Sequence, residues 1–262
     1  IYRIQECDIM RYILILISMG FGSIAHGAEA STKHRLASWN VLCATCNAAP
    51  PVPAWEVRRD AVIEKIANGG ASIIALQEVQ AGDQLSYIQE NLSEYSSTCV
   101  SKIDNSGAHT LFLVKIGIDY ECLPPIDIAD NRQCLNIVAS GVNYYNCHFP
   151  LTDVLNTAST DIFLSSIEAP FVFMGDYNTW PGETGYPHND ARLSEYTQTR
   201  GDIDGLNSFW NIDKVGTSST NVEVSFNRTH DMTLSDHPYV RVKFYELSTI
   251  AVINMLLVTE TL

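Results

Sequence analysis

Asp176 and Asn178 are the residues whose surroundings say most about chemistry. They close the stretch Phe171–Asn178, FVFMGDYN, in which four apolar residues and a glycine run into an acid and an amide one residue apart. The apolar run reads as a buried strand, and the glycine lets the backbone turn as it leaves the sheet. Strand alternation is expected to point Asp176 and Asn178 to the same side. A carboxylate that holds or takes a proton, beside an amide that donates to oxygen, suits chemistry on a phosphate group. Similar residues end other apolar runs. Asn40 interrupts Leu36–Leu42, where an unpartnered amide would be expensive. Glu78 closes Ala71–Val79 after Gln77, and a carboxylate buried there is costly unless it is paired or metal-bound. His148 ends Val142–His148, Asp213 lies in Ile212–Val215, and Ser235-Asp236-His237-Pro238 precedes a closing strand, Tyr239–Phe244. Taken singly, each has a plainer account: an Asx turn at 176, a satisfied strand histidine at 148, a turn former at 213.

These residues need elements to hold them at one edge. Trp55–Asn68 places Val57, Ala61, Val62, Ile63 and Ile66 on one face of an amphipathic helix that ends at Gly69-Gly70. With the runs at 36–42 and 71–79 it reads strand–helix–strand, so Asn40 and Glu78 reach corresponding carboxyl edges, where ligands gather in open α/β sheets. Asp83–Tyr95 is expected to be a polar helix with Asp83 as its N-cap. Strands follow at Thr110–Val114, Leu135–Ala139 and Val142–His148, with Tyr120–Ile128 a more exposed strand or a loop, and then a helix at Asp153–Ile167. Arg132, one of few bases in this region, stands just before the strand at 135. After Asn178, Thr179–Asp190 is rich in Trp, Pro and Gly and is expected to form a wall of the cleft. Asn221–Phe226 reads as a short strand.

No repeat or composition shift divides the chain. Its 262 residues, 46% hydrophobic, suffice for one large core. A net charge of −14 disfavours a passive nucleic-acid-binding module, but not an enzyme that recruits a divalent cation to its carboxylates. Residues 1–9 precede Met10 and read as upstream translated sequence. Residues 10–27 carry Arg11, an apolar stretch and Ala25-His26-Gly27, the pattern of a signal peptide too short to span a membrane. The domain is expected over 33–245, followed by an apolar tail at 246–262. Cys43, Cys46, Cys99, Cys122, Cys134 and Cys147 remain beyond the leader. An even number in an exported chain favours disulfides, in a pairing the sequence does not rank. Cys43 and Cys46 also have redox or zinc spacing, although no second CxxC or HxxxH completes a zinc site. The expected location is secreted or periplasmic.

The order Trp39-Asn40, Gln77-Glu78, His148, Gly175-Asp176-Tyr177-Asn178, Ile212-Asp213 and Ser235-Asp236-His237-Pro238 resembles the endonuclease/exonuclease/phosphatase superfamily. Deoxyribonuclease I and apurinic endonucleases typify it, and the resemblance runs over Lys33–Tyr245. It implies an α/β fold: a four-layer α/β sandwich, two mixed β-sheets packed face to face with helices outside. It also implies Mg²⁺-dependent hydrolysis of a phosphoester, with Mn²⁺ or Ca²⁺ as alternative ions. By the same resemblance Glu78 is the main metal ligand, with Asn40 and Asp236 close by. Asp176 and Asn178 orient or deprotonate the attacking water. His148 and His237, the latter paired with Asp213, contact the phosphate and offset its charge. Arg132 matches a substrate-contacting arginine of some relatives, and Asn178 and His148 also touch substrate.

The superfamily hosts many substrates, so the chemistry is easier to name than the molecule it acts on. Export and disulfides resemble secreted deoxyribonucleases, which makes a nucleic acid, DNA before RNA, the expected substrate. A sphingomyelinase or other phosphoester hydrolase is the alternative, since Tyr177, Trp180 and Tyr186 suit stacking on bases or insertion among lipid headgroups. A non-catalytic interaction module is the third reading, and the joint retention of Glu78, Asp176 and His237 argues against it. A monomer without a stable protein partner is expected.

Overall fold

The computed structural model describes residues 31–46, 52–178, 193, 213–218, 222–229, 231 and 233–246. The expected leader, the expected cleft wall at Thr179–Asp190 and the expected apolar tail from 247 lie outside the described residues.

Period-two alternation along the strands feeds two different cores. Tyr144, Val172 and Met174 face inward with Leu36, Ile73, Phe112 and Ile137, while their neighbours Tyr145, Phe171 and Phe173 join an outer cluster with Phe149 and Phe163. Such double-sided burial belongs to a sheet covered on both faces. One sheet contains β1 (Ser31–Asn40), β2 (Ile73–Gln80), β3 (Tyr95–Ser96), β4 (Ala108–Lys115), β10 (Val222–Thr229) and β11 (Tyr239–Glu246), in the order β10-β11-β1-β2-β4-β3. The other contains β5 (Tyr120–Asp127), β6 (Gln133–Ala139), β7 (Val142–His148), β8 (Phe171–Asp176) and β9 (Asp213–Thr217), in sequence order. Each sheet is mixed: β1/β2 and β7/β8 run parallel, whereas β2/β4 and β8/β9 run antiparallel.

Helices α1 (Trp55–Gly69) and α2 (Asp83–Asn91) cover the first sheet through Trp55, Val62, Ile66, Ile88 and Leu92. Helix α3 (Asp153–Ser166) covers the second through Phe163. The result is the expected four-layer sandwich.

Three local readings are corrected. The buried stripe of α1 is Trp55, Arg58, Val62 and Ile66, with Val57 exposed, because the Arg58 guanidinium has carbonyls to satisfy it. Gly82, at φ 86, caps α2, and Asp83 is its first helical residue. That helix also stops at Asn91, so Tyr95 becomes a strand residue on β4. The six cysteines form Cys43–Cys46, Cys99–Cys122 and Cys134–Cys147, the covalent framework of an oxidising environment. No helix among the described residues is long and apolar enough to cross a membrane.

Candidate active site

Register brings the chemistry together. His148 pairs with Asp176 across parallel β7/β8, and Asp176 pairs with Asp213 across antiparallel β8/β9. Three neighbouring strands, about 4.8 Å apart, thus set an imidazole and two carboxylates in one row. The backbone can run this way only because residue 175 is glycine. It has φ 145, and a Cβ there would lie 2.0 Å from the Cys147 carbonyl oxygen. In the facing sheet Asn40 ends β1 opposite Gln77. The next residue, Glu78, has φ 56 and lies in the register shift between Leu76 and Val79 on β2/β4. That bulge re-aims its carboxylate. His237 arrives on the loop before β11. Trp39 Nε1 donates to the His237 carbonyl (3.1 Å), the Ser235 hydroxyl donates to the Asn40 carbonyl (2.7 Å), and His237 N–H donates to Ser235 Oγ (3.1 Å).

Asp176 is the centre of the cluster. Its Oδ2 accepts from Asn40 Nδ2 (3.1 Å) and lies 3.6 Å from His148 Nε2 and 3.7 Å from His237 Nε2. Its Oδ1 accepts the Asn178 N–H at 3.0 Å. Asn40 Nδ2 also donates to Glu78 Oε1 (2.9 Å), which stands 3.6 Å from His148 Nε2. His237 Nδ1 meets Asp213 Oδ2 at 3.0 Å. Glu78, His148 and Asp176 each offer a ligand atom within 4.8 Å of the others, and so do Asp176, Asp213 and His237. The Glu78 side chain is 19% exposed against 1% for Asp176, so Glu78 forms the mouth and Asp176 the floor.

Other expected residues sit differently. Strand β8 ends at Asp176, and Asn178 has φ 48, so alternation does not carry its side chain toward the acids. The Asx turn from Asp176 takes its N–H instead, and its Nδ2 donates to the Phe149 carbonyl (2.8 Å). Arg132 Nη1 donates to the carbonyls of His148 (3.3 Å) and Phe149 (2.8 Å), with Asp104 and Asp130 at 3.8 Å from its Nε. It therefore braces the end of β7. Asn40 turns its nitrogen to the acids and its Oδ1 to the Leu42 N–H (3.0 Å). Among the described residues Asp236 belongs to neither ligand cluster; its Oδ1 is 3.5 Å from Ser235 Oγ.

Burial shapes the charges. It pushes the Asp176 carboxyl up to about 7, with Asp213 and Glu78 adding to it, while His237 and the Asn40 hydrogen bond oppose it. Burial would lower His237, but Asp213 and Asp176 outweigh it and hold the imidazolium well above its ordinary value. His148 is held well below its ordinary value by burial, then by Arg132 and His237. The two expected charge-offsetting histidines therefore differ: the surroundings favour the imidazolium at His237 and the neutral ring at His148.

Two supports lie outside the motifs, and a third is a motif residue to which the sequence assigns no role. Arg58, on the core stripe of α1, donates to the carbonyls of Val41 (2.6 Å), Leu42 (2.5 Å) and Leu234 (2.6 Å), joining the loops after β1 and before His237. Asn156, fully buried on α3, donates to the carbonyls of Pro150 (3.0 Å), Tyr177 (2.8 Å) and Asn178 (3.3 Å). Gln77 Nε2 crosses between the sheets to Asn146 Oδ1 (2.7 Å). The available signal was a polar residue on a stripe that faces the core, as Asn156 does with Ser159, Thr160 and Phe163.

The chain matches the Endonuclease/Exonuclease/phosphatase family over residues 37–237. It belongs to that family, a class of metal-dependent phosphoester hydrolases. Solved structures with the same fold include an endonuclease/exonuclease/phosphatase of Bacteroides vulgatus (17% identity, 82% of this chain, 99% of that one, TM-score 0.61). A mannosyl-6-phosphatase of Bacteroides thetaiotaomicron is similar (17% identity, 80% and 98% covered, TM-score 0.59). So is the human Nocturnin catalytic domain with bound sulfate (17% identity, 80% and 94% covered, TM-score 0.58). Sequence comparison with curated proteins found no match.

Proposed function

We propose that this chain is an exported, magnesium-dependent phosphodiesterase that cuts DNA internally by in-line attack of water. The observation that supports it most is the convergence of Glu78, His148, Asp176, Asp213 and His237 from both sheets and the loop before β11. The three disulfides support export.

The donor set fits a hard divalent ion. Glu78 and Asp176 offer oxygens, and burying Asp176 beside Glu78 leaves negative charge that a cation would offset. Glu78 at the mouth would hold the ion, with Asn40 and Asp236 flanking it. When bound, such an ion polarises the phosphoryl oxygen and offsets charge in the transition state. Asp176, poised near neutrality, takes the proton of the attacking water. Asn178 and Asn40 fix the two oxygens of Asp176 by their hydrogen bonds, so the carboxylate does not rotate. The His237 imidazolium, oriented by Asp213, donates to a phosphate oxygen as charge builds there. His148 offers a neutral donor to the same group, and Arg132 holds its strand end in place.

A second reading, hydrolysis of a small phosphoester or a phospholipid, is favoured by the similarity to a mannosyl-6-phosphatase. The test incubates purified protein with supercoiled plasmid, sphingomyelin vesicles and mannose 6-phosphate, with Mg²⁺ or with EDTA. Metal-dependent nicking, lost in Asp176→Ala and His237→Ala, is the expected result. Intact plasmid with cleavage of either other substrate would overturn the nuclease and keep the chemistry.

A further inference from the structure

The loop that leaves β1 after Asn40 holds a motif that hydrolysis does not use. Cys43 and Cys46 are joined there, and both sulfurs lie within 4.8 Å of a Glu78 carboxylate oxygen. Cys43 N–H also donates to Glu78 Oε2 at 3.4 Å. The loop keeps its place by bonds that do not involve the disulfide. Arg58 holds the carbonyls of Val41 and Leu42. Gln84 Oε1 accepts the Ala44 N–H (3.0 Å), and its Nε2 donates to the Leu42 carbonyl (3.2 Å). Thr45 Oγ1 donates to Gln80 Oε1 (2.7 Å). Opening the disulfide therefore leaves two thiols facing Glu78. Two thiolates and one carboxylate, with a fourth position open, suit a thiophilic cation of the zinc type, unlike the oxygen-rich set deeper in the site.

We propose that Cys43, Cys46 and Glu78 form a redox-gated site for a thiophilic divalent cation, closed by the disulfide and opened by a dithiol reductant. The reductant's thiolate attacks one sulfur to give a mixed disulfide. Its second thiol then closes a ring, so two electrons pass to the protein and both cysteines leave as thiols. Binding one zinc releases two protons from them. Cys46 is partly exposed and Cys122 exposed, whereas Cys43, Cys99, Cys134 and Cys147 are buried, so a dithiol reaches Cys43–Cys46 and Cys99–Cys122 before Cys134–Cys147, and of the first two only Cys43–Cys46 faces Glu78. A filled site engages Glu78, so reduction plus zinc switches hydrolysis off. That last consequence alone rests on Glu78 serving the hydrolytic ion.

Co²⁺ titration of the oxidised and reduced chain tests the site without any activity, because thiolate-bound cobalt has a charge-transfer band in the near ultraviolet. The band is expected in the reduced chain only, displaced by one zinc per chain, lost in both Cys43→Ser and Cys46→Ser, and weakened in Glu78→Gln. Circular dichroism and mass mapping of alkylated thiols establish that the reduced chain is folded with Cys43 and Cys46 open. No band in that species, or a band surviving in both serine variants, overturns the proposal. Zinc inhibition confined to the reduced chain tests the switch; equal inhibition of both forms overturns it.

Discussion

Asp176 carries the largest conflict in the molecule, a carboxylate on the floor of the site beside two other acids. Its folded-state pKa is raised, so its ionised form costs stability. The stability it leaves intact below about pH 4 is lost as pH rises through about 7. Asp176→Asn is expected to raise the metal-free stability at pH 8 by roughly 2–4 kcal/mol in denaturant unfolding while lowering turnover by about 10²–10⁴-fold. Asp213 acts on His237 in the opposite sense: it favours the imidazolium. Asp213→Asn should therefore move the alkaline limb of the pH–rate profile to lower pH, since His237 then loses its proton earlier. An unmoved limb would remove His237 from the role of charged donor. Gly175→Ala places a methyl against the Cys147 carbonyl and should cost about 3 kcal/mol in the same unfolding measurement.

At the scale of elements, strand ends were legible because buried parallel strands are continuous apolar runs that stop where a polar residue begins. Asn40, Glu78 and Asp176 mark such stops, His148 ends a strand that already carries Asn143 and Asn146, and register then makes His148, Asp176 and Asp213 neighbours. Side-chain direction was less legible. Asn178 was read by alternation, but its positive φ and the Asx turn take it out of the strand. Arg58 and Asn156 carry no such signal, because a polar residue on a core stripe breaks the pattern that marks a helix face. Their partners are loop carbonyls distant in sequence, which no local pattern reveals. Asn156→Ala leaves the Pro150, Tyr177 and Asn178 carbonyls without this donor and should cost about 2 kcal/mol. It should also lower kcat more than it raises KM, because Asn178 braces Asp176 and not the bound substrate.

For the whole molecule, two sheets deliver acids to one edge, where a bound cation would offset their charge. The metal-free melting temperature should fall as pH rises from about 4 to 7 through Asp176, and further at higher pH as His237 deprotonates. A divalent ion at a hundred times its Kd should restore about 2.7 kcal/mol. The acidic net charge of −14 is consistent with a turnover enzyme that relies on such an ion for local positive charge and not on a basic surface.

The most direct measurement is hydrolysis of a chromogenic phosphodiester, bis-p-nitrophenyl phosphate, by the purified chain with Mg²⁺ or with EDTA, beside Asp176→Ala and His237→Ala. It asks about the chemistry without presuming the substrate. Release of nitrophenol that needs the ion and disappears in both variants is the predicted result. Release that persists in EDTA, or in either variant, would contradict the assignment of this edge as a metal-dependent hydrolytic site.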